Sequence, residues 1–114
     1  MSAPPQRGEV WLIDFDPIRG HEQAGRRPAL ILSMDAFNAG PAGLVVAIPI
    51  TKTIRAVPTH VVIHPPEGGV KMDSAILCEA VRSVSRERLS TKWGRVSPQT
   101  LAEVEDRVRI LLGL

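Results

Sequence analysis

The sequence predicts a mainly β, α+β domain: a small, strongly bent antiparallel sheet or barrel of short strands, covered by one C-terminal helix. Three observations carry this expectation. From residue 9 to about residue 93, large and β-branched residues come in short runs broken by Pro, Gly and polar clusters. Beyond Ser97 the apolar residues change to helical spacing. The chain has 114 residues, enough for one core and little more.

The first expected strand covers residues 10–16, with Trp11, Ile13 and Phe15 on one face, and stops at Pro17. A polar loop with two glycines, residues 18–27, leads to a second strand at 28–33, where Pro28 takes the first position. Residues 34–43 form a connection, with a helical turn behind Ser33. The third strand is expected at 44–48, and Pro49 should mark a bulge or an edge. A second polar segment, 51–57, precedes a strand at 59–64, closed by Pro65-Pro66 and Gly68-Gly69. Residues 74–84 read as a strand pair or one long bent strand, and residues 90–96 as a last short strand around Trp93.

The final helix is the most explicit element. Ser97 is a good N-cap, Pro98 suits the first helical position, and Gly113 can end the helix in the left-handed region. Leu101, Val104, Val108, Leu111 and Leu112 share its apolar face. Glu103 with Arg107, and Glu105 with Arg109, are spaced for i,i+4 pairing on the outer face. Residues 1–7 are expected to fray, which leaves 8–114 as a single domain.

Composition excludes several classes. Hydrophobic residues make up 44% and charged residues 23%, values of a globular chain rather than a disordered one. The longest apolar run, 44–50, contains a proline and is far short of a membrane helix. The start of the chain lacks the hydrophobic segment of a signal peptide, so a cytoplasmic location without membrane association is expected. One cysteine, Cys78, leaves no internal disulfide and no multi-cysteine zinc site. It lies among Ile76, Leu77, Ala80 and Val81, the setting of a small buried hydrophobe rather than a reactive thiolate. His60 and His64 are about 13 Å apart if they lie in a strand, and there is no HExxH or CxxC, so neither a metal nor any other cofactor is expected. The glycines of residues 20–25 do not form a nucleotide-binding loop.

The net charge of +2 hides a local bias. Residues 19–27 hold three arginines against Glu22. Lys52 and Arg55 have no acid in 51–55, and residues 82–95 hold five basic residues against Glu87. On a common face these segments would attract phosphates. With two Trp, two Phe and no Tyr, recognition of nucleic acid would rest on arginine and backbone more than on stacking platforms. Trp93 is the one ring near a basic stretch. Pro28 holds residue 27 extended and restricts where the Arg27 guanidinium can point, so Arg27 is either a clamp for a phosphodiester or a surface arginine at a strand start, and these residues alone favour the second.

Longer matches bear on this. Residues 7–11 (RGEVW), 14–17 (DFDP) and 20–29 (GHEQAGRRPA) together closely resemble the N-terminal signature of the MazF/PemK toxins, and the likeness continues through Ile50-Thr51, residues 58–61 and 76–84, and the final helix. The resemblance implies an SH3-like, CcdB-like barrel with a terminal helix, forming a homodimer. It implies the toxin of a type II toxin–antitoxin pair, a metal-independent endoribonuclease that cuts single-stranded mRNA at short sequences. Its expected partners are single-stranded RNA and a cognate antitoxin with an acidic, extended tail. The family's essential arginine falls on Arg27, its threonine or serine on Thr51 and its loop glutamate on Glu22. Arg19, His21, Gln23, Arg26, Lys52 and Arg55 are expected to bind RNA. The alternative on the same fold is a CcdB-like, non-enzymatic poison of DNA gyrase, which needs neither Arg27 nor Thr51.

Overall fold

The computed structural model describes residues 3–15 and 25–114. The elements are β1 (Glu9–Asp14), β2 (Arg26–Ile31), a one-turn helix α1 (Asp35–Asn38), β3 (Leu44–Thr51), β4 (His60–Ile63), β5 (Ser74–Leu77), β6 (Arg82–Ser85), β7 (Leu89–Arg95) and α2 (Pro98–Leu112). Three-residue 3-10 turns lie at Glu67–Gly69, Cys78–Ala80 and Arg86–Arg88. Each strand of the sequence-based expectation is present, with ends shifted by one to three residues, and the helical turn behind Ser33 is α1.

Every pairing is antiparallel, in the order β4-β5-β3-β2-β1-β7, with β6 beside β3. β4 and β7 end this order and do not pair, so the expected barrel is in fact an open, bent sheet. The bend runs through β3. One of its edges faces β2, while the other pairs with β6 along residues 44–47 and then with β5 at Ile50 and Thr51. Pro49 does not end β3: it lies opposite Ala29, at the step between those two partners, where a residue without an N–H interrupts least. Residues 74–84 form two strands in line, split by the Cys78–Ala80 turn, and both pair with β3 rather than with each other.

Two apolar clusters fill the molecule. Val10, Leu30, Ile48, Ile63 and Ile76 pack with Val104 and Val108 of α2. Ile13, Phe15, Ile31, Val45 and Val84 form the second cluster, with Trp11 and Leu89 against it. Thr100, Val104 and Val108 are the buried residues of α2, so the covered stretch ends near residue 108. Leu111 and Leu112, expected on the buried face, are exposed, as are Ile110 and Leu114.

The helix ends are built as the sequence predicts. Ser97 Oγ accepts from the Thr100 amide at 3.1 Å, Pro98 opens the first turn, and Gly113 adopts φ 71°. Ser97→Ala should lower unfolding free energy by about 1 kcal/mol in urea titration; an unchanged midpoint would show that the cap contributes nothing. The expected i,i+4 pairs give way to longer-range ones. Glu105 pairs with Arg7, and Arg107 Nε donates to the Pro58 carbonyl at 3.3 Å. In the N-terminal segment Pro5 is buried, the Gln6 amide donates to Glu9 at 2.8 Å, and the Arg7 guanidinium also bonds the Leu32 carbonyl.

Candidate anion site around Arg27 and Thr51

Strand register brings the two principal residues together. β1 pairs with β2 so that Ile13 faces Arg27 and Asp14 faces Arg26. β2 pairs with β3 so that Ala29 faces Pro49. The observed pairing ends at that step, and two residues further along each strand stand Arg27 on β2 and Thr51 on β3. Arg27 and Thr51 both border two cavities, one of 410 Å³ and one of 250 Å³.

Each of the pair has a free chemical capacity. Arg27 is partly buried, and burial lowers its pKa from the usual value. The guanidinium stays charged, but it is less well hydrated and so better disposed to an anion. Thr51 Oγ1 accepts from the Thr53 amide at 3.1 Å, a local turn that fixes the hydroxyl. Its O–H remains available to donate.

The smaller cavity is polar. Besides the pair it is bordered by Thr53, Arg55, His60, Leu77 and Glu79. The Glu79 carboxylate accepts from Thr59 Oγ1 at 2.7 Å and lies 2.8 Å from His60 Nε2. Burial raises the Glu79 pKa, but these hydrogen bonds outweigh it, and the carboxyl is held below its usual range. The His60 side chain is only 8% exposed, and its Nδ1 is buried without a partner among the described residues. The larger cavity has an apolar floor that includes Leu12, Pro28, Val70 and Trp93, with Arg26, Lys52 and Lys71 also on its border.

Arg27, Thr51, Arg26, Lys52 and Arg55 therefore gather at one place. Arg19, His21, Glu22 and Gln23 lie outside the described residues. The third basic segment does not join them: Arg86 donates to the carbonyls of Asn38 and Gly40, Arg88 to that of Asp14 and Arg95 to that of Arg7. Arg82 stacks over Phe15 at 5.3 Å, and Lys92 lies 3.5 Å from Glu9. Sequence reasoning missed His60, Glu79, Lys71 and Trp93 as neighbours of the pair. Only the basic stretch around Trp93 gave any signal. Cys78 is fully buried, and burial, with Glu79 next to it, pushes its pKa up to about 11, so it stays a thiol. A larger cavity of 770 Å³, bordered by Pro4, Trp11, Arg86 and Leu89, lies apart from these residues and carries none of the expected ones.

An arginine and a hydroxyl donor on adjacent strands, bordering shared cavities with further cations, are groups that can bind phosphate. The chain belongs to the family of PemK-like, MazF-like toxins of type II toxin–antitoxin systems, whose model matches residues 6–112. It is 35% identical to endoribonuclease MazF9 of Mycobacterium tuberculosis over 96% of its length and 97% of the relative's. Against the endoribonuclease toxin MazF of Escherichia coli K12 the identity is 34%, over 96% and 95% of the two chains. Its fold superposes on the crystal structure of MazF from Deinococcus radiodurans with a TM-score of 0.83, 36% identity and coverage of 99% and 100%. A mycobacterial endoribonuclease solved with its cognate antitoxin gives a TM-score of 0.80 at 27% identity, covering 96% of each chain.

Proposed function

We propose that this toxin is a sequence-specific endoribonuclease that cuts single-stranded RNA without a metal, with Arg27 and Thr51 at the scissile phosphate. The observation that carries the reading is their joint position on both cavities, in a chain whose matched relatives are named endoribonucleases. That naming favours a nuclease over a gyrase poison. RNA brings its own nucleophile, the 2′-OH beside the scissile phosphate, so positioning and charge stabilisation suffice. In-line attack forms the 2′-O–P bond as the P–O5′ bond breaks, and the departing 5′-oxygen takes a proton from water, which yields a 2′,3′-cyclic phosphate and a 5′-hydroxyl. Arg27 neutralises the charge that builds on the phosphate, and Thr51 donates its O–H to a non-bridging oxygen. The 2′-OH proton passes to a carboxylate. Glu22 is the residue the resemblance implies, and Glu79 is a carboxylate on the same cavity as the pair. Arg26, Lys52 and Arg55 hold the RNA backbone, together with Arg19, His21 and Gln23.

The protein acts in the cytoplasm, where its substrate is, and no helix among the described residues is long and apolar enough to cross a membrane. It works as a homodimer. Its partner is an antitoxin with an acidic, extended segment that fills the cationic site, as charge complementarity favours. The test is incubation of the protein with single-stranded RNA in EDTA. Discrete fragments with cyclic phosphate and 5′-hydroxyl ends are expected, with DNA of the same sequence left intact. No cutting, or cutting that EDTA stops, would refute the reading.

A further inference from the structure

The larger cavity has features that phosphate binding does not explain. A phosphate needs only Arg27, Thr51 and the cations around them, yet the floor beside them is apolar and 410 Å³ is ample for a planar ring system. Trp93 stands at this wall for a definite structural reason. In the β1–β7 pairing Val10 faces Gly94 while Trp11 faces Lys92, so Trp93 is the extra residue of a β-bulge. A bulge of this kind re-aims the side chain it carries. The indole is held from behind by the first core cluster. The Glu67–Gly69 turn lies against its backbone so closely that a Cβ on Gly69 would come within 2.3 Å of the Trp93 carbonyl oxygen. The other tryptophan is differently placed: the Trp11 indole N–H donates to Glu9 at 2.9 Å, whereas that of Trp93 has no partner among the described residues.

We propose that this cavity is a nucleobase subsite, in which the base next to the phosphate held by Arg27 and Thr51 stacks on Trp93. Leu12, Pro28, Val70 and Met72 close the remaining sides, and Lys71, on the strand-connecting segment, meets the backbone of the same nucleotide. An apolar slot ringed by cations fits a nucleotide, flat and apolar in its base and anionic in its phosphate. The subsite makes Trp93 a positioning residue: stacking accepts any base, so it fixes the nucleotide beside the cut in place rather than choosing it. The proposal rests on the nuclease reading.

The experiment uses an RNA site mapped from fragments made by the wild-type protein. That sequence is prepared as an uncut 2′-O-methyl oligonucleotide, intact and with a single abasic position stepped along it, and binding is measured to wild type, Trp93→Ala and Trp93→Phe. One abasic position adjacent to the cut should weaken wild-type binding about ten-fold or more. Trp93→Ala should bind the intact oligonucleotide as weakly and lose nothing further at that position, while Trp93→Phe keeps most of the affinity. If Trp93→Ala does not fold, the same point is read from indole emission: stacking should quench the wild type on RNA binding, and Trp93→Phe, which retains Trp11, should lack that quenching. The subsite is overturned if the RNA is cut but no position couples to Trp93 and no quenching occurs. It is also overturned if Trp93→Ala leaves RNA binding intact and weakens only the antitoxin complex, which would assign the slot to an antitoxin side chain. Failure of the wild type to cut RNA at all would bring down the nuclease reading as well.

Discussion

Arg27→Ala should slow single-turnover RNA cleavage by roughly 100- to 1000-fold, the usual cost of removing one preorganised donor from a developing oxyanion. Three properties of the residue set the size of the effect. It is partly buried, so its charge acts in a medium that screens it less than water does. It borders the same two cavities as Thr51, so in the proposed reaction both donors address one phosphate. It is the one Lys or Arg among the described residues on both cavities, Arg26, Lys52 and Lys71 bordering only the larger and Arg55 only the smaller. Arg27→Lys should recover little, because an ammonium is a point charge and lacks the planar fork. Circular dichroism melts of the variants separate lost chemistry from lost fold. Wild-type rates in a folded Arg27→Ala protein would remove Arg27 from the reaction.

Gly69→Ala should be among the most destabilising single-atom additions available, costing about 3 kcal/mol or more in denaturant titration. The residue has φ +78°, a region that L side chains avoid, and an added Cβ would lie 2.3 Å from the Trp93 oxygen and 2.7 Å from its carbonyl carbon. Both obstacles are backbone, so no rotamer change relieves them. Gly43 supplies the control: it has φ +69°, but nothing lies within 4 Å of its added Cβ. Gly43→Ala should cost only the conformational penalty, on the order of 1 kcal/mol. Equal stability of the two variants would mean that the turn does not press on β7 as described.

The contrast between the two ends of the molecule shows what the residues alone reveal. α2 was legible from Ser97 to Gly113 because caps and helical spacing are local signals. Its exposed end at 110–114 was not, because exposure depends on how far the sheet extends beneath the helix. Strand positions were legible from composition. The open edge between β4 and β7 was not, since closure depends on partners distant in the chain. At the site, Pro28 drew attention to Arg27 without deciding its role, and the assignment of both Arg27 and Thr51 came from the family resemblance. Their meeting at the same two cavities depends on strand pairing that no local pattern encodes. Glu79 looked like one more residue of a strand, but it lies in a 3-10 turn that carries it to the cavity beside His60. Lys71 and Trp93 meet because the segment after β4 folds back onto β7, and nothing in the spacing of either announces that return.

The pairing of β1 with β7 joins Glu9 to Arg95, residues 86 positions apart. A ribosome making this chain from its N-terminus releases the first strand long before the strand that completes it. The Trp93 wall beside Arg27 and Thr51 forms only after β7 has been made. Chains truncated before β7 would carry Arg27 and Thr51 without Trp93 beside them.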